Sequence, residues 1–262
     1  MPDSQGFPDS NSMFTCLIEY ADLVEALRDG PRRKQALVDR LGVSPETVYR
    51  RTRDLRDAGL LERTQSGYAL TNLGRLYARE YDSVQTFARR LHEARDLLEH
   101  FATDELPPRA VFRNADITTV EQYAPDRPSR WVERAIRRTR RFRGLLPVLP
   151  RRLADALGAS RSSETRTDVI LDADVADHYR ADTDFAETFD RESAGLYLTD
   201  EQIPYGILLV DCENGDDTTL ALTVYDEQGV LRGVVVNDDR SAVSWGERRY
   251  ERYRAEATPA GS

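Results

Sequence analysis

Glycine and proline punctuate residues 31–70 so closely that few structures remain open to this stretch. The run Arg32-Arg33-Lys34-Gln35-Ala36-Leu37-Val38-Asp39-Arg40-Leu41 sets Ala36, Leu37, Val38 and Leu41 on one helical side, and Gly42 stops that helix. Ser44 followed by Pro45 reads as a helix start, because the hydroxyl accepts from a free amide and the proline ring is pre-set for the first helical position. Val48, Thr52, Leu55 and Ala58 then recur at steps of four, three and three and turn inward. Glu46, Thr47, Tyr49, Arg50 and Arg53 are left on the outward face. After Gly59-Leu60-Leu61, residues 61–64 and 68–70 read as two short strands around Gln65-Ser66-Gly67. Thr71 caps a further helix, and Gly74 in its first turn allows close packing on the hairpin.

Charge singles out the same stretch. Residues 31–70 carry nine basic and five acidic side chains, a net +4 inside a chain of −9, so the remainder sums to −13. A segment that opposes the sign of its own protein suits a phosphate backbone. The order helix, turn, helix, hairpin is that of a winged helix-turn-helix. Thr47-Val48-Tyr49-Arg50, Leu55, Ala58-Gly59-Leu60-Leu61 and Tyr68-Ala69-Leu70-Thr71-Asn72-Leu73-Gly74 resemble an archaeal winged-helix transcription regulator. That resemblance implies double-stranded promoter or operator DNA as partner. The candidate contact set is Arg32, Arg33, Lys34, Ser44, Glu46, Thr47, Tyr49, Arg50, Arg53, Arg63, Gln65 and Tyr68. Arginine can grip guanine with two hydrogen bonds, worth about 1–3 kcal/mol of discrimination, and Glu46 can accept from cytosine. Such modules also dock proteins, so the alternative is an adaptor for a partner in the transcription or repair machinery.

From residue 72 to about 101 there is no proline, and Leu73, Tyr77, Tyr81, Val84, Ala88, Leu91 and Leu98 recur at helical steps, with Arg95 interrupting the seam. One reading is a dimer helix that sets two heads about one DNA turn apart, roughly 34–36 Å. The other is a helix packed on its own second domain. The expected domains are a disordered start at 1–12, the winged helix at 13–71, the connecting helix at 72–105, a regulatory domain at 106–256 and a disordered tail at 257–262.

Pro107-Pro108 breaks the chain before the second domain. Strand-like runs at 117–120, 144–149, 167–171 and 196–198 alternate with helical stretches at 129–141, 151–157 and 175–180. Strands at 205–211, 218–225 and 230–237 follow in succession, with turns at Asn214-Gly215 and Gln228-Gly229, before a last helix at 240–254. The expected fold is a two-domain α+β/α/β chain: winged helix, long helix, and a mixed sheet covered by helices. Arg143-Gly144-Leu145-Leu146-Pro147-Val148-Leu149-Pro150, Tyr205-Gly206-Ile207-Leu208-Leu209, Tyr225-Asp226-Glu227-Gln228-Gly229-Val230-Leu231-Arg232-Gly233 and Asn237-Asp238-Asp239 with Trp245 are similar to the C-terminal domain of archaeal methanogenesis and filamentation regulators. The similarity implies a regulatory domain that senses a small effector.

Residues 127–143 hold eight arginines against the single Glu133, a net +7. Arg130, Arg134, Arg137, Arg138 and Arg141 are the candidate anion or effector contacts, since guanidinium matches carboxylate and phosphate. The plainer reading is an amphipathic helix burying Trp131, Ala135 and Ile136.

An enzyme is not expected. Asp172 and Asp174 follow an apolar strand, where α/β enzymes keep carboxylates, but Asp174 reads as a helix cap. The oxygen-rich stretch after Asp211 lacks the glutamate of a calcium loop, with Leu222 in its place. His92, His100 and His178 have no zinc spacing, and the lone lysine is Lys34. No catalytic residue, metal or cofactor is expected. Cys16 and Cys212 form no disulfide framework, and neither a leader nor a membrane span is read, so a reducing cytoplasm is the expected compartment. An acidic, arginine-rich, lysine-poor surface resembles that of proteins from salt-loving archaea.

Overall fold

The computed structural model describes residues 10–159, 165–179, 194–212 and 217–260. The chain divides into two units, residues 1–86 and 87–262. The first holds helices α1 (Ser10–Glu19), α2 (Ala21–Ala26), α3 (Lys34–Leu41) and α4 (Pro45–Asp57), strands β1 (Leu61–Thr64) and β2 (Gly67–Leu70), and most of α5 (Asn72–Glu93). Helix thus begins at Ser10, inside the stretch expected to be disordered, because Met13 and Leu17 are buried on its inner side.

Leu17, Leu23, Leu27, Leu37, Val48, Leu55 and Leu60 are fully or almost fully buried in one core. Each contributes about 1.5–3 kcal/mol by leaving water. Leu37 is the fully buried residue of α3, while Ala36, expected beside it, is exposed: the packed side runs through Leu37, Val38 and Leu41. Gly42 ends α3 at φ 65°, its N–H donating to the Val38 carbonyl at 2.9 Å. Ser44 Oγ accepts from the Thr47 N–H at 3.2 Å and Pro45 opens α4.

β1 and β2 pair antiparallel from Leu61↔Leu70 to Thr64↔Gly67, so β2 starts one residue earlier than the sequence suggests. Arg32 joins the hairpin through its backbone, donating to Tyr68 O at 3.0 Å and accepting from Tyr68 N at 2.8 Å. Gly67, at φ 129°, lies under that crossing, where a Cβ would stand 2.1 Å from the Arg32 carbonyl oxygen.

The helix expected to run to residue 101 kinks at Ala94 (φ −85°, ψ 0°), and α6 (Arg95–Leu98) follows. Ala94 still donates to Arg90 O and its carbonyl still accepts from Leu98 N, both at 2.9 Å. The kink brings Ala94 and Leu97 into the second core, with Leu97 lying over Gly233. Of the residues expected along the seam, Tyr77 and Tyr81 pack partly on the first core and Leu91 and Leu98 partly on the second, while Leu73, Val84 and Ala88 are exposed.

The second unit is built on an eight-stranded sheet. Its elements are α7 (Arg109–Phe112), β3 (Asp116–Thr119), α8 (Arg127–Arg137), β4 (Thr139–Leu146), α9 (Arg151–Ala159), β5 (Arg166–Asp172), α10 (Ala173–Tyr179), β6 (Ala194–Thr199), β7 (Gly206–Cys212), β8 (Thr218–Tyr225), β9 (Leu231–Asn237), α11 (Arg240–Glu256) and β10 (Thr258–Pro259). The strand order is β10-β6-β5-β4-β7-β8-β9-β3, with β4, β5 and β6 parallel and every other pairing antiparallel. Both faces are covered, which explains the continuous apolar runs of β7 and β8. One core packs α6, α7 and α11 on the sheet, and the other packs α8, α9 and α10.

Three expectations are corrected here. The helix expected at 129–141 ends at Arg137, and β4 begins at Thr139; Phe142 and Leu146 face one core while Leu145 faces the other, a two-residue period that the arginines hide. Asp172, not Asp174, caps α10, its Oδ1 accepting from Asp174 N at 2.9 Å. Residues 258–259, expected in a disordered tail, form β10 on the edge of β6, with Ala260 N donating to Leu196 O at 2.9 Å. The expected Asn214-Gly215 turn lies outside the described residues.

Candidate nucleic-acid interface

Two contacts hold α4 from below. The Tyr20 hydroxyl donates to Asp54 Oδ2 at 3.0 Å, and burial, followed by this bond, pushes its pKa up to about 12. Arg51 stacks on the Tyr20 ring at 5.6 Å and pairs with Asp22 at 2.8 Å. The sequence offers no periodic signal for this clamp, since its partners lie about thirty residues apart. Inside the helix, Thr52 Oγ1 donates to Val48 O at 2.8 Å, which satisfies a buried hydroxyl without using an outward group.

The clamp leaves one face of α4 free. Tyr49 is 56% exposed, and Glu46, Arg50 and Arg53 are exposed with it. The Arg50 side chain makes no hydrogen bond or ion pair among the described residues, whereas Arg53 makes a long contact to Asp54 at 3.4 Å. Lys34, from the start of α3, lies over the Tyr49 ring at 5.7 Å, so α3 and α4 contribute to one surface. Arg33 stands just before α3 and is exposed. Ser44 and Thr47 share a hydroxyl contact at 3.0 Å at the start of α4, and Thr47 is half-buried. Arg63 on β1 and Gln65 at the hairpin tip are exposed.

Two members of the expected set do other work. Arg32 Nε donates to the Ala26 carbonyl at 2.5 Å with Asp29 3.8 Å from the guanidinium, and the Tyr68 ring is half-buried against the core. Both are held because the Arg32–Tyr68 backbone bridge fixes where their side chains start.

The arginine-rich stretch separates into three groups. Arg127 pairs with Glu121 and Arg130 with Asp126, each at 2.6 Å. Arg134 and Arg137 on α8, Arg138 after it, and Arg140 and Arg141 on β4 are exposed, and their side chains form no ion pair among the described residues. Arg143 is buried on the other face of the sheet, 3.0 Å from Glu247. Among the described residues no group of three or more His, Cys, Asp or Glu is placed to hold a metal, and no helix is long and apolar enough to cross a membrane.

Comparison with known proteins places the chain. Among solved structures, TrmBL2, an archaeal chromatin protein, aligns over 95% of this chain and 99% of its own at 12% identity, with a TM-score of 0.38. NucT from Helicobacter pylori aligns over 55% of this chain and 98% of its own at 10% identity and TM-score 0.45. The phospholipase D family member Nuc from Salmonella typhimurium aligns over 56% and 99% at 11% identity and TM-score 0.42. No curated protein matches the chain. Residues 13–92 match the HVO_A0261 N-terminal domain model. Residues 125–256, half of the chain, match the middle domain of the methanogenesis regulatory protein FilR1, and the chain belongs to that family.

Proposed function

We propose that this protein is a sequence-specific, double-stranded-DNA-binding transcriptional regulator and not an enzyme. In this reading α3 and α4 are the helix-turn-helix, β1 and β2 are the wing, and α4 enters the major groove. The observation that carries it is the outward face of α4: Glu46, Tyr49, Arg50 and Arg53 exposed together above a clamped inner face, inside a chain of net −9. Arg33, Lys34 and Ser44 lie at the rim to meet phosphates, with Arg63 and Gln65 on the wing. Membership of a regulatory-protein family supports the same reading. The protein acts as a homodimer on an inverted repeat, with the second unit as the effector-sensing part.

Selection of bound duplexes from a random pool tests this. The parent protein enriches an inverted repeat, and replacing Arg50 and Arg53 together by Ala abolishes the enrichment while leaving helix content unchanged. Each lost bidentate contact weakens specific binding by about 1–3 kcal/mol. A parent protein that enriches nothing, or a double variant that selects the same repeat, overturns the assignment. Continued capture of a protein partner by the double variant is the outcome an adaptor would give.

A further inference from the structure

The second unit contains a cavity of about 160 Å³ between α8, the start of α9 after Pro150, and the Tyr225–Leu231 pair at the ends of β8 and β9. The apolar wall is made of Val132, Pro150, Leu153, Leu231 and the Tyr225 ring. Tyr225 and Leu231 face each other just past the point where the β8–β9 register slips, after Val224. That slip turns Leu231 onto the α8–α9 side of the sheet, the re-aiming of a side chain that bulges provide. Burial pushes the Tyr225 phenol up to about 12, so it remains a neutral hydroxyl.

The polar lining is equally specific. Glu133 on α8 holds Oε1 away from solvent; this oxygen forms a long ion pair with Arg152 Nη1 at 3.7 Å and accepts no hydrogen bond among the described residues. A shielded carboxylate oxygen held only by a long ion pair keeps room for a hydrogen-bond donor. Arg151 and Arg152 are exposed where α9 begins and supply two positive charges at the rim. A bare amine would be drawn to Glu133 but repelled by these arginines, and a bare carboxylate would meet the reverse. A molecule carrying both charges on a short apolar body satisfies both groups and the wall.

We propose that this cavity binds a small zwitterionic amino acid with an aliphatic side chain, its ammonium on Glu133, its carboxylate on Arg151 and Arg152, and its side chain among Val132, Leu153 and Leu231. The volume suits a body of the size of valine or leucine, since an apolar cavity of about 150 Å³ holds benzene. This assignment goes beyond the nucleic-acid reading and does not rest on it.

The test is calorimetric titration and thermal unfolding of the full chain with valine and leucine, beside isocaproate and isoamylamine, which keep the leucine body and lose one charge each. Leucine or valine gives saturable binding and a raised Tm, while each single-charge analogue binds about tenfold to a hundredfold more weakly, as loss of a charge-assisted hydrogen bond demands. Glu133→Gln loses affinity to the same extent, and Ser129→Trp, which fills the cavity from its α8 side, abolishes binding with circular dichroism unchanged. The assignment is overturned if no amino acid shifts the Tm at millimolar concentration, as for a cavity that holds only water. It is equally overturned if isocaproate or isoamylamine binds as well as leucine, or if Glu133→Gln binds like the parent. Should Glu133→Gln fail to fold, Ser129→Trp and the analogue series still decide.

Discussion

Asn237 is 3% exposed, and its side-chain amide donates to the carbonyls of Ala110, Val111 and Arg113 at 3.1, 3.0 and 2.6 Å. Its Oδ1 accepts from Asp239 N at 2.8 Å, so one side chain ties α7 to the end of β9. Asn237→Leu keeps the volume but strips these backbone groups of their partner, and chemical denaturation is expected to show a loss of about 2–4 kcal/mol. Asp226 gives a prediction in pH. Its carboxylate accepts from Val230 N at 2.8 Å, then from Arg232 and from Gln228 N, and these bonds, the Val230 bond foremost, hold its pKa below the ordinary aspartate value. A lowered pKa in the folded state means the contribution is complete above the unfolded value of about 3.9 and lost as pH falls through the folded one. Acid titration followed at the Val230 amide should therefore show the 226–230 turn loosening, and Asp226→Asn should remove that step. Neither role is legible in sequence, because carbonyls more than a hundred residues away from Asn237 leave no local pattern. The partners of Arg32 and Tyr68 are hidden for the same reason: both residue types suit DNA, and nothing local signals that Ala26 O and the first core also hold them.

At the level of elements, legibility follows punctuation. Gly42, Ser44 and Pro45 mark the α3–α4 corner by local backbone chemistry alone, so helix start and stop are readable from the chain. Ser44→Ala removes the acceptor for Thr47 N and should cost about 1 kcal/mol, measured as a lower midpoint in urea. Gly74→Ala should cost more than its helix propensity returns, because the new Cβ would stand 2.1 Å from the Leu60 carbonyl oxygen, a backbone atom that cannot swing aside. A thermal melt of that variant is expected to show a clear fall in Tm, with the first unit affected. β4 illustrates the opposite case. Its first half carries Arg140 and Arg141, exposed residues that continue the charge pattern of α8, so composition hides the change from helical to two-residue period. The cavity escaped sequence reading altogether, since Glu133 counts there only as the lone acid among arginines, whereas its shielded oxygen, held only by a long pair to Arg152, is a property of how α8 packs on α9.

For the molecule as a whole, the charge distribution governs how binding responds to salt. With Arg32 Nε bound to the Ala26 carbonyl and Arg51 paired with Asp22, the cations left on the proposed DNA face are Arg33, Lys34, Arg50, Arg53 and Arg63. The logarithm of affinity should then fall with the logarithm of salt at a slope no steeper than about −4 to −5 per head, a value read from titrations in potassium chloride. A much steeper slope would require phosphate contacts from elsewhere, and the exposed Arg134, Arg137, Arg138, Arg140 and Arg141 are the place to seek them. The rim of the sheet has its own consequence. β10 occupies the outer side of β6 with two residues, one of them Pro259, which has no N–H to offer a further strand. Chains shortened before Thr258 would leave Leu196, Tyr197 and Leu198 presenting an open hydrogen-bonding row, and the foreseeable result is self-association by strand addition, visible as concentration-dependent growth in light scattering.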